Sequence, residues 1–293
     1  MRICVTGGSG FIGKAVAKEL KEASYDVSIL DIVTPANHLK GVPFIKADIT
    51  DFSSLKNALK DFEVVYHIAG LFAETANNDP YQAALINYMG TANILESCKL
   101  NNIPKIIFAS TFLVYDGKDG HVDEDTPIDP RGLSIFASSK LFAEELIKSF
   151  SKKYGIKYVI LRYGSVFGPG GGSNVIRTFI EQAFRGENIS VWGEGKRARQ
   201  FICVNDLAKG NLLALPHDND TFNLAGSGLI SNREVLEIIR DIIPSIKYSF
   251  ELDKKERVDT YIISIKKAKQ KMGWMDATDF EMALKETAKW FNT

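Results

Sequence analysis

Cysteine is scarce: Cys4, Cys98 and Cys203 are the three in 293 residues, an odd number spaced too widely for a disulfide framework. No Cys-x-x-Cys pair occurs, and His38, His67, His121 and His217 show no ligand spacing, so the sequence offers no metal site. Net charge is lacking as well. Thirty-six Lys and Arg balance 36 Asp and Glu, which argues against nucleic acid or another polyanion as the main partner. No uncharged apolar run reaches the roughly 18 residues of a membrane span, and none of signal-peptide length precedes the first glycines. Internal repeats and low-complexity tracts are missing too. These absences point to a soluble protein with reduced thiols, expected in the cytoplasm. What is present is ordinary globular composition, with 45% apolar and 25% charged residues. A chain this long can bury about 75% of its unfolded surface without staples.

The first half alternates short apolar runs with helical patterns. Strands are predicted at residues 2–6, 27–31, 43–46, 64–68, 105–110 and 158–162, and helices at 11–22, 53–59, 79–101 and 134–154. β-Branched runs joined by helical crossovers imply an α/β fold, a doubly wound parallel sheet covered on both faces. After Arg162 the rhythm changes through the glycine-rich residues 164–173. Helices are expected at 175–185, 205–215, 232–242 and 280–291, with short strands near 189–192, 221–224 and 247–252. This predicts two domains, residues 1–163 and a smaller mixed α/β substrate domain at 164–293, part of residues 200–225 returning to the first. The basic cluster at residues 266–271 suits the wet face of a helix.

Thr6-Gly7-Gly8-Ser9-Gly10-Phe11-Ile12-Gly13 lies between the first strand and the first helix. Glycines there permit a tight turn and close approach of backbone N–H groups to a pyrophosphate, and the helix N-terminus adds donors and partial positive charge. Asp31 ends the second strand, 18 residues past Gly13, where a carboxylate accepts from ribose hydroxyls and repels a 2′-phosphate. No Arg or Lys follows until Lys40, which favours NAD over NADP.

With these residues the chain resembles the extended short-chain dehydrogenase/reductases, and within them the NAD-dependent nucleotide-sugar epimerase/dehydratase family, whose dinucleotide domain is Rossmann-type. The resemblance runs through Ala47-Asp48-Ile49, His67-Ile68-Ala69-Gly70, Asn87-x-x-Gly90-Thr91, Ser110-Thr111 and Val114-Tyr115. It continues through Leu161-Arg162-Tyr163, Gly168-Pro169, Arg199-Gln200-Phe201-Ile202, Val204-x-Asp206 and Arg257-x-Asp259. The resemblance implies that Gly7, Gly10, Phe11, Ile12, Gly13, Asp31, Asp48, Ile49, Ala69, Gly70, Asn87, Lys140 and Tyr163 bind the cofactor. Asp48 and Ile49 would lie by the adenine, and Ala69 and Gly70 along the diphosphate-to-nicotinamide side. It implies that Thr111 bonds the sugar hydroxyl to be oxidised, that Ser165, Asn174, Arg199 and Arg257 hold the substrate diphosphate, and that Trp192 packs on the nucleobase. Bidentate guanidinium–phosphate bonding suits arginine to that task. The long helices 79–101 and 134–154 match those through which the family dimerises, so a homodimer is expected.

One departure bears on the chemistry. The family's catalytic Tyr-x-x-x-Lys reads Phe136-Ala137-Ser138-Ser139-Lys140. Removing hydride from a sugar carbon requires its hydroxyl to lose a proton, and a tyrosine beside a lysine ammonium can take it. Lowering a phenol from about 10 to near 7 needs roughly 4 kcal/mol of differential stabilisation. Phenylalanine keeps the ring and has no proton to exchange, and losing a general acid–base removes ~10²–10⁴ in rate. Phe136 reads as an introduced Tyr→Phe change, the catalytic Thr111 and Lys140 being intact; the alternative is a natural non-catalytic relative.

The family's dehydratases carry an Asp-Glu pair after the active-site threonine. Here Phe112 and Leu113 follow Thr111, so a UDP-hexose 4-epimerase acting by transient C4 oxidation is expected. Within the family a 4-ketoreductase or a decarboxylase is the alternative; outside it, an NAD or nucleotide-sugar sensor.

Overall fold

The computed structural model describes residues 1–35, 39–172, 174–256 and 261–292. The first half runs β1 (Arg2–Thr6), α1 (Phe11–Glu22), β2 (Asp26–Asp31), β3 (Phe44–Lys46), α2 (Phe52–Ala58), β4 (Val64–His67), α3 (Ala73–Asn78) and α4 (Pro80–Ala83). After a π-helical stretch at Ala84–Met89 come α5 (Gly90–Leu100), β5 (Lys105–Thr111), β6 (Gly120–Val122), α6 (Ile135–Tyr154) and β7 (Lys157–Tyr163). The remainder holds β8 (Ser165–Phe167), α7 (Val175–Phe184), β9 (Asn188–Trp192), β10 (Ala198–Arg199), β11 (Phe201–Cys203), α8 (Val204–Ala214) and β12 (Asp220–Leu224). It ends with β13 (Ile230–Ser231), α9 (Asn232–Ile242), β14 (Lys247–Glu251), β15 (Tyr261–Ile263) and α10 (Phe280–Phe291).

Seven strands form one sheet in the order β12-β7-β5-β4-β1-β2-β3, every pairing parallel. Side chains alternate across it as the pleat requires. Ile3, Val5, Val64, Tyr66, Ile107, Val159 and Leu161 enter the core under α1 and α8. Cys4, Val65, Ile106, Phe108 and Ile160 enter the core under α2, α5 and α6. Both faces are dry, which explains the continuous apolar runs of a parallel sheet. This is the Rossmann-type α/β fold. The strand order reverses between β1 and β4, and at the carboxyl ends of such a switch point parallel sheets take ligands in a crevice.

A third core gathers Ile180, Ile189, Val191, Leu236, Ile239 and Leu284 around α7, α9 and α10. The chain returns from this region to the main sheet: β12 pairs with β7 as an edge strand, α8 packs against α1, and Ala268, Met272 and Trp274 enter the core beneath them.

Helix α6 shows how sequence sets position. Ser134 caps it by accepting from the Ala137 amide at 3.2 Å, and Gly155 ends it with φ +75°. Its buried stripe runs Ala137, Lys140, Ala143, Glu144, Ile147, the spacing of one helical face. Two of these five are charged, so each needs a partner in the core.

The expected single helix over residues 79–101 is not one α-helix. Pro80 starts the short α4, and the π stretch Ala84–Met89 separates it from α5. The basic cluster lies where expected: residues 266–272 are helical, Lys266, Lys269 and Lys271 are exposed, and Lys267 pairs with Asp220.

Candidate functional site

The glycine turn joins β1 to α1. Gly7 has φ +66°, and a Cβ there would stand 2.9 Å from the Ala69 backbone. A Cβ on Gly13 would lie 2.1 Å from the Gly7 carbonyl oxygen. Helix and turn are therefore pressed together as only glycines allow. Gly10 caps α1 without any side-chain bond, which leaves first-turn amides for an anion. Phe11 and Ile12 open the helix. Asp31, at the end of β2, accepts from the Ser9 amide at 3.0 Å and the Val33 amide at 3.1 Å, so its carboxylate is fixed at the rim of the turn. These features fit a dinucleotide: a cradle that any Cβ would fill, unspent helix donors and an oriented acid.

Asp48 is exposed and accepts from the Thr50 amide and hydroxyl at 2.8 and 2.7 Å. Ile49 is buried against Gly90 of α5, and its carbonyl accepts from Asn93 at 2.9 Å.

The turn after β4 packs directly against the glycine turn, with Ala69 beside Gly7. Thr6 Oγ1 accepts from the amides of Ile68 and Ala69, both at 3.2 Å. A methyl group on Gly70 would stand 3.0 Å from Asn87 Oδ1 and 3.4 Å from Lys140 Nζ, so turn, asparagine and lysine converge. Asn87 accepts from the Leu71 amide at 2.8 Å and donates to Ser139 Oγ at 2.9 Å.

Lys140, 7% exposed, donates to the Ala109 carbonyl at 3.0 Å and lies over the Phe108 ring at 4.9 Å. Burial lowers its ammonium from 10.5 to about 8, the nearby Glu144 charge opposing. Phe136 sits one turn earlier on the same face, half-buried. Its amide donates to Asn77 Oδ1 at 3.0 Å and its carbonyl accepts from Ser139 Oγ at 2.7 Å. Thr111 ends β5, two residues past the carbonyl that holds Lys140, and accepts from the Leu113 amide at 3.2 Å. Beneath them Glu144 takes a bidentate bond from Arg162 at 3.1 and 2.7 Å and a third from Ser110 at 2.5 Å.

Arg199, on β10, stands over the Phe112 ring at 5.5 Å, which brings its guanidinium beside the residue that follows Thr111. The Ser165 amide donates to the Gln200 carbonyl, so β8 runs next to it. Asn174 is spent locally: it accepts from the Ile176 and Arg177 amides as the cap of α7 and donates to the Val166 carbonyl. Tyr163 turns its hydroxyl into the core, onto Asn211 at 2.7 Å, so its side chain is committed there. Trp192 is 58% exposed at the end of β9, with the Lys254 ammonium 5.6 Å from its ring centroid. Arg257 lies outside the described residues.

His67 had no role in the sequence reading beyond its place in a motif, and Asn77 did not appear in it. His67 is buried between Thr6 and Thr91; its signal was a polar residue closing the apolar strand Val64–Tyr66. Asn77 gave no signal, because only the tertiary fold places it on the amide of residue 136.

A cavity of about 410 Å³ lies elsewhere, lined by Phe167, Phe201, Phe280, Asp206 and Asp276 among others, and by none of the residues assigned above. Its acids serve the backbone: Asp206 accepts from the Ala277 and Thr278 amides, and Asp276 from that of Ser227. Among the described residues no His, Cys, Asp or Glu cluster could hold a metal, and no helix is long and apolar enough to cross a membrane.

Comparison with known proteins identifies the chain's relatives. The chain is 37% identical over 98% of its length to a Methanocaldococcus jannaschii protein named "Putative UDP-glucose 4-epimerase", covering 97% of that protein. Its fold matches the Thermotoga maritima UDP-glucose 4-epimerase with UDP-glucose, at 28% identity and a TM-score of 0.89, over 100% of this chain and 99% of that one. It also matches the Bacillus cereus UDP-glucuronic acid 4-epimerase with UDP-glucuronic acid and NAD, at 27% identity, a TM-score of 0.89 and the same coverage. Residues 3–225 match the NAD dependent epimerase/dehydratase family, to which the chain therefore belongs, with NAD as its cofactor.

Proposed function

We propose that the protein is built as a UDP-hexose 4-epimerase, with residue 136 setting whether it turns over. The observation that carries this reading is the convergence of Gly70, Asn87 and Lys140 beside the end of β5, with Thr111 two residues beyond the Lys140 anchor. The glycine turn and the α1 N-terminus would hold the pyrophosphate, Asp31 a ribose, and Lys140 the ribose nearest the reacting ring. When bound, NAD supplies a hydride acceptor that is regenerated in each cycle, as C4 epimerisation by transient oxidation needs.

The chain's own residues manage the proton. Thr111 Oγ1 accepts from Leu113, which leaves its hydroxyl proton for the sugar oxygen. A tyrosine at position 136, ionised to the phenolate beside the Lys140 ammonium, would take the substrate proton; the Phe136 ring only packs. Phe112 is buried among Val114, Tyr115, Tyr261 and Ile263, so the position where dehydratases carry an acid is an apolar wall that supports Arg199 instead. Arg199, with Arg257, would take the substrate diphosphate, Ser165 and Asn174 its surroundings, and Trp192 the base.

Apolar side chains exposed on α5, on α6 and in the π stretch support a homodimer: Met89 at 54%, and Leu100 and Phe142 at 44% each. The three free, buried cysteines suit the reducing cytoplasm. Phe136 itself favours one second reading, a sensor that binds nucleotide sugar without converting it.

Assaying the Phe136→Tyr variant with NAD and a panel of UDP-sugars tests the proposal. Turnover at least ~10² above the unsubstituted protein is expected. Tight UDP-sugar binding with no turnover in that variant would establish the sensor instead. Stoichiometric consumption of NADH would make the protein a reductase, and release of carbon dioxide a decarboxylase.

A further inference from the structure

His67 is a buried titratable group that the proposed chemistry leaves unused. Its ring lies 5.5 Å from that of Phe108, and both nitrogens are engaged: Nδ1 is 3.1 Å from Thr6 Oγ1 and Nε2 is 3.0 Å from Thr91 Oγ1. The neighbours decide which nitrogen carries the proton. Thr91 Oγ1 lies 2.7 Å from the Asn87 carbonyl, which can only accept, so the single hydroxyl proton of Thr91 is spent there. Its lone pair then accepts from His67 Nε2–H. Nδ1 is left bare and accepts from the Thr6 hydroxyl, whose 3.4 Å contact with the Tyr66 carbonyl is the longer. Thr6 Oγ1 is thereby free to accept the Ile68 and Ala69 amides.

The bonds run in one direction, from the amides of the turn after β4, through Thr6, His67 and Thr91, to the backbone of Asn87 in the π stretch. The ends of this sequence are the two elements that meet Lys140 at Gly70. We propose that His67 is a positioning residue for the cofactor: as a neutral Nε2–H imidazole it locks the Ala69–Gly70 turn to Asn87, and so sets the wall against which NAD and Lys140 meet. The inference rests on the NAD-binding reading of the crevice. A second ring proton would face Thr6 Oγ1, turn its hydroxyl away and disrupt the bonds that hold the turn. The dry surroundings, and then the nearby Lys140 ammonium, disfavour that proton.

Two measurements test this. In protein labelled with ¹⁵N-histidine, NMR should show His67 as the neutral Nε2–H tautomer from pH 5 to 8; the Nδ1–H tautomer or an imidazolium at pH 7 would overturn the proposal. Calorimetric titrations with NAD and with UDP then compare His67→Phe, which keeps a ring against Phe108, with His67→Gln, which keeps one donor and one acceptor. His67→Phe should weaken NAD at least tenfold with UDP affinity unchanged, and His67→Gln should recover most of the loss. Equal NAD affinity in His67→Phe, or no difference between the two variants, refutes the role of His67 alone. An unsubstituted protein that binds UDP but not NAD refutes the reading of the crevice. If His67→Phe does not fold, the tautomer in the unsubstituted protein decides.

Discussion

Glu144 and Arg162 form a bidentate ion pair beneath the reactive end of the sheet, Nε–Oε1 3.1 Å and Nη2–Oε2 2.7 Å, with both side chains almost wholly buried. Arg162 also donates to Tyr115, whose hydroxyl reaches Asn223 on the edge strand. Burial opposes the Arg162 charge, but the Glu144 carboxylate outweighs it and raises the guanidinium's affinity for its proton. Replacing one partner strands a charge in the core, so Arg162→Met should cost about 3–5 kcal/mol. The double replacement Glu144→Leu/Arg162→Met should cost less than the sum of the singles in urea unfolding.

Lys140 carries an opposite expectation. Folding lowers its ammonium to about 8, so between pH 8 and 10.5 the unfolded chain holds a proton that the folded one has released. Stability therefore rises with pH across that window, and below it the buried lysine is a penalty on the order of 3 kcal/mol. Lys140→Met should melt higher than the parent at pH 7 and bind NAD more weakly. Melting scans at pH 7 and 10 should show the gap shrinking.

His67 makes the fold sensitive to acid. Burial, and then the Lys140 charge, lower its imidazole from 6.5 to about 3. Below pH 6.5 the unfolded state takes up a proton that the folded state refuses, and stability falls by up to about 1.4 kcal/mol per unit down to pH 3. In urea midpoints at pH 7, 5.5 and 4.5, His67→Gln should show a shallower decline.

At Gly13 the obstacle is backbone, which cannot swing aside. With a Cβ 2.1 Å from the Gly7 carbonyl oxygen, Gly13→Ala must push helix α1 off the turn. A loss of about 1–3 kcal/mol is expected, with NAD affinity down more than tenfold by calorimetry.

Phe142 packs against Tyr88, ring centroids 4.7 Å apart and planes tilted by 42°, and is nearly half exposed on α6. Light scattering should give twice the 32.5 kDa chain mass for the parent, and the single mass for Phe142→Glu. A parent at the single mass would refute the dimer.

Much of the sheet was legible because its strands are buried on both faces. Residues 3–5, 64–66 and 106–109 read as unbroken apolar runs, and the glycines after Thr6 marked the crevice. The π stretch was hidden because Ala84–Met89 keeps an ordinary helical composition. Pairings of two or three residues, such as β6 with β15 and β8 with β11, carry no pattern long enough to read. Glu144 and Asn77 look like surface residues in sequence, and only the arrival of Arg162 and of α6 gives them their tasks.

The edge strand Asp220–Leu224 hydrogen-bonds along Val159–Tyr163, although more than fifty residues separate them. A fragment cut after Tyr163 would thus leave a bare ladder of amides and carbonyls open to other chains. Such a fragment should precipitate on release from denaturant, and limited proteolysis that nicks the glycine-rich connector should leave the two pieces associated until they are unfolded.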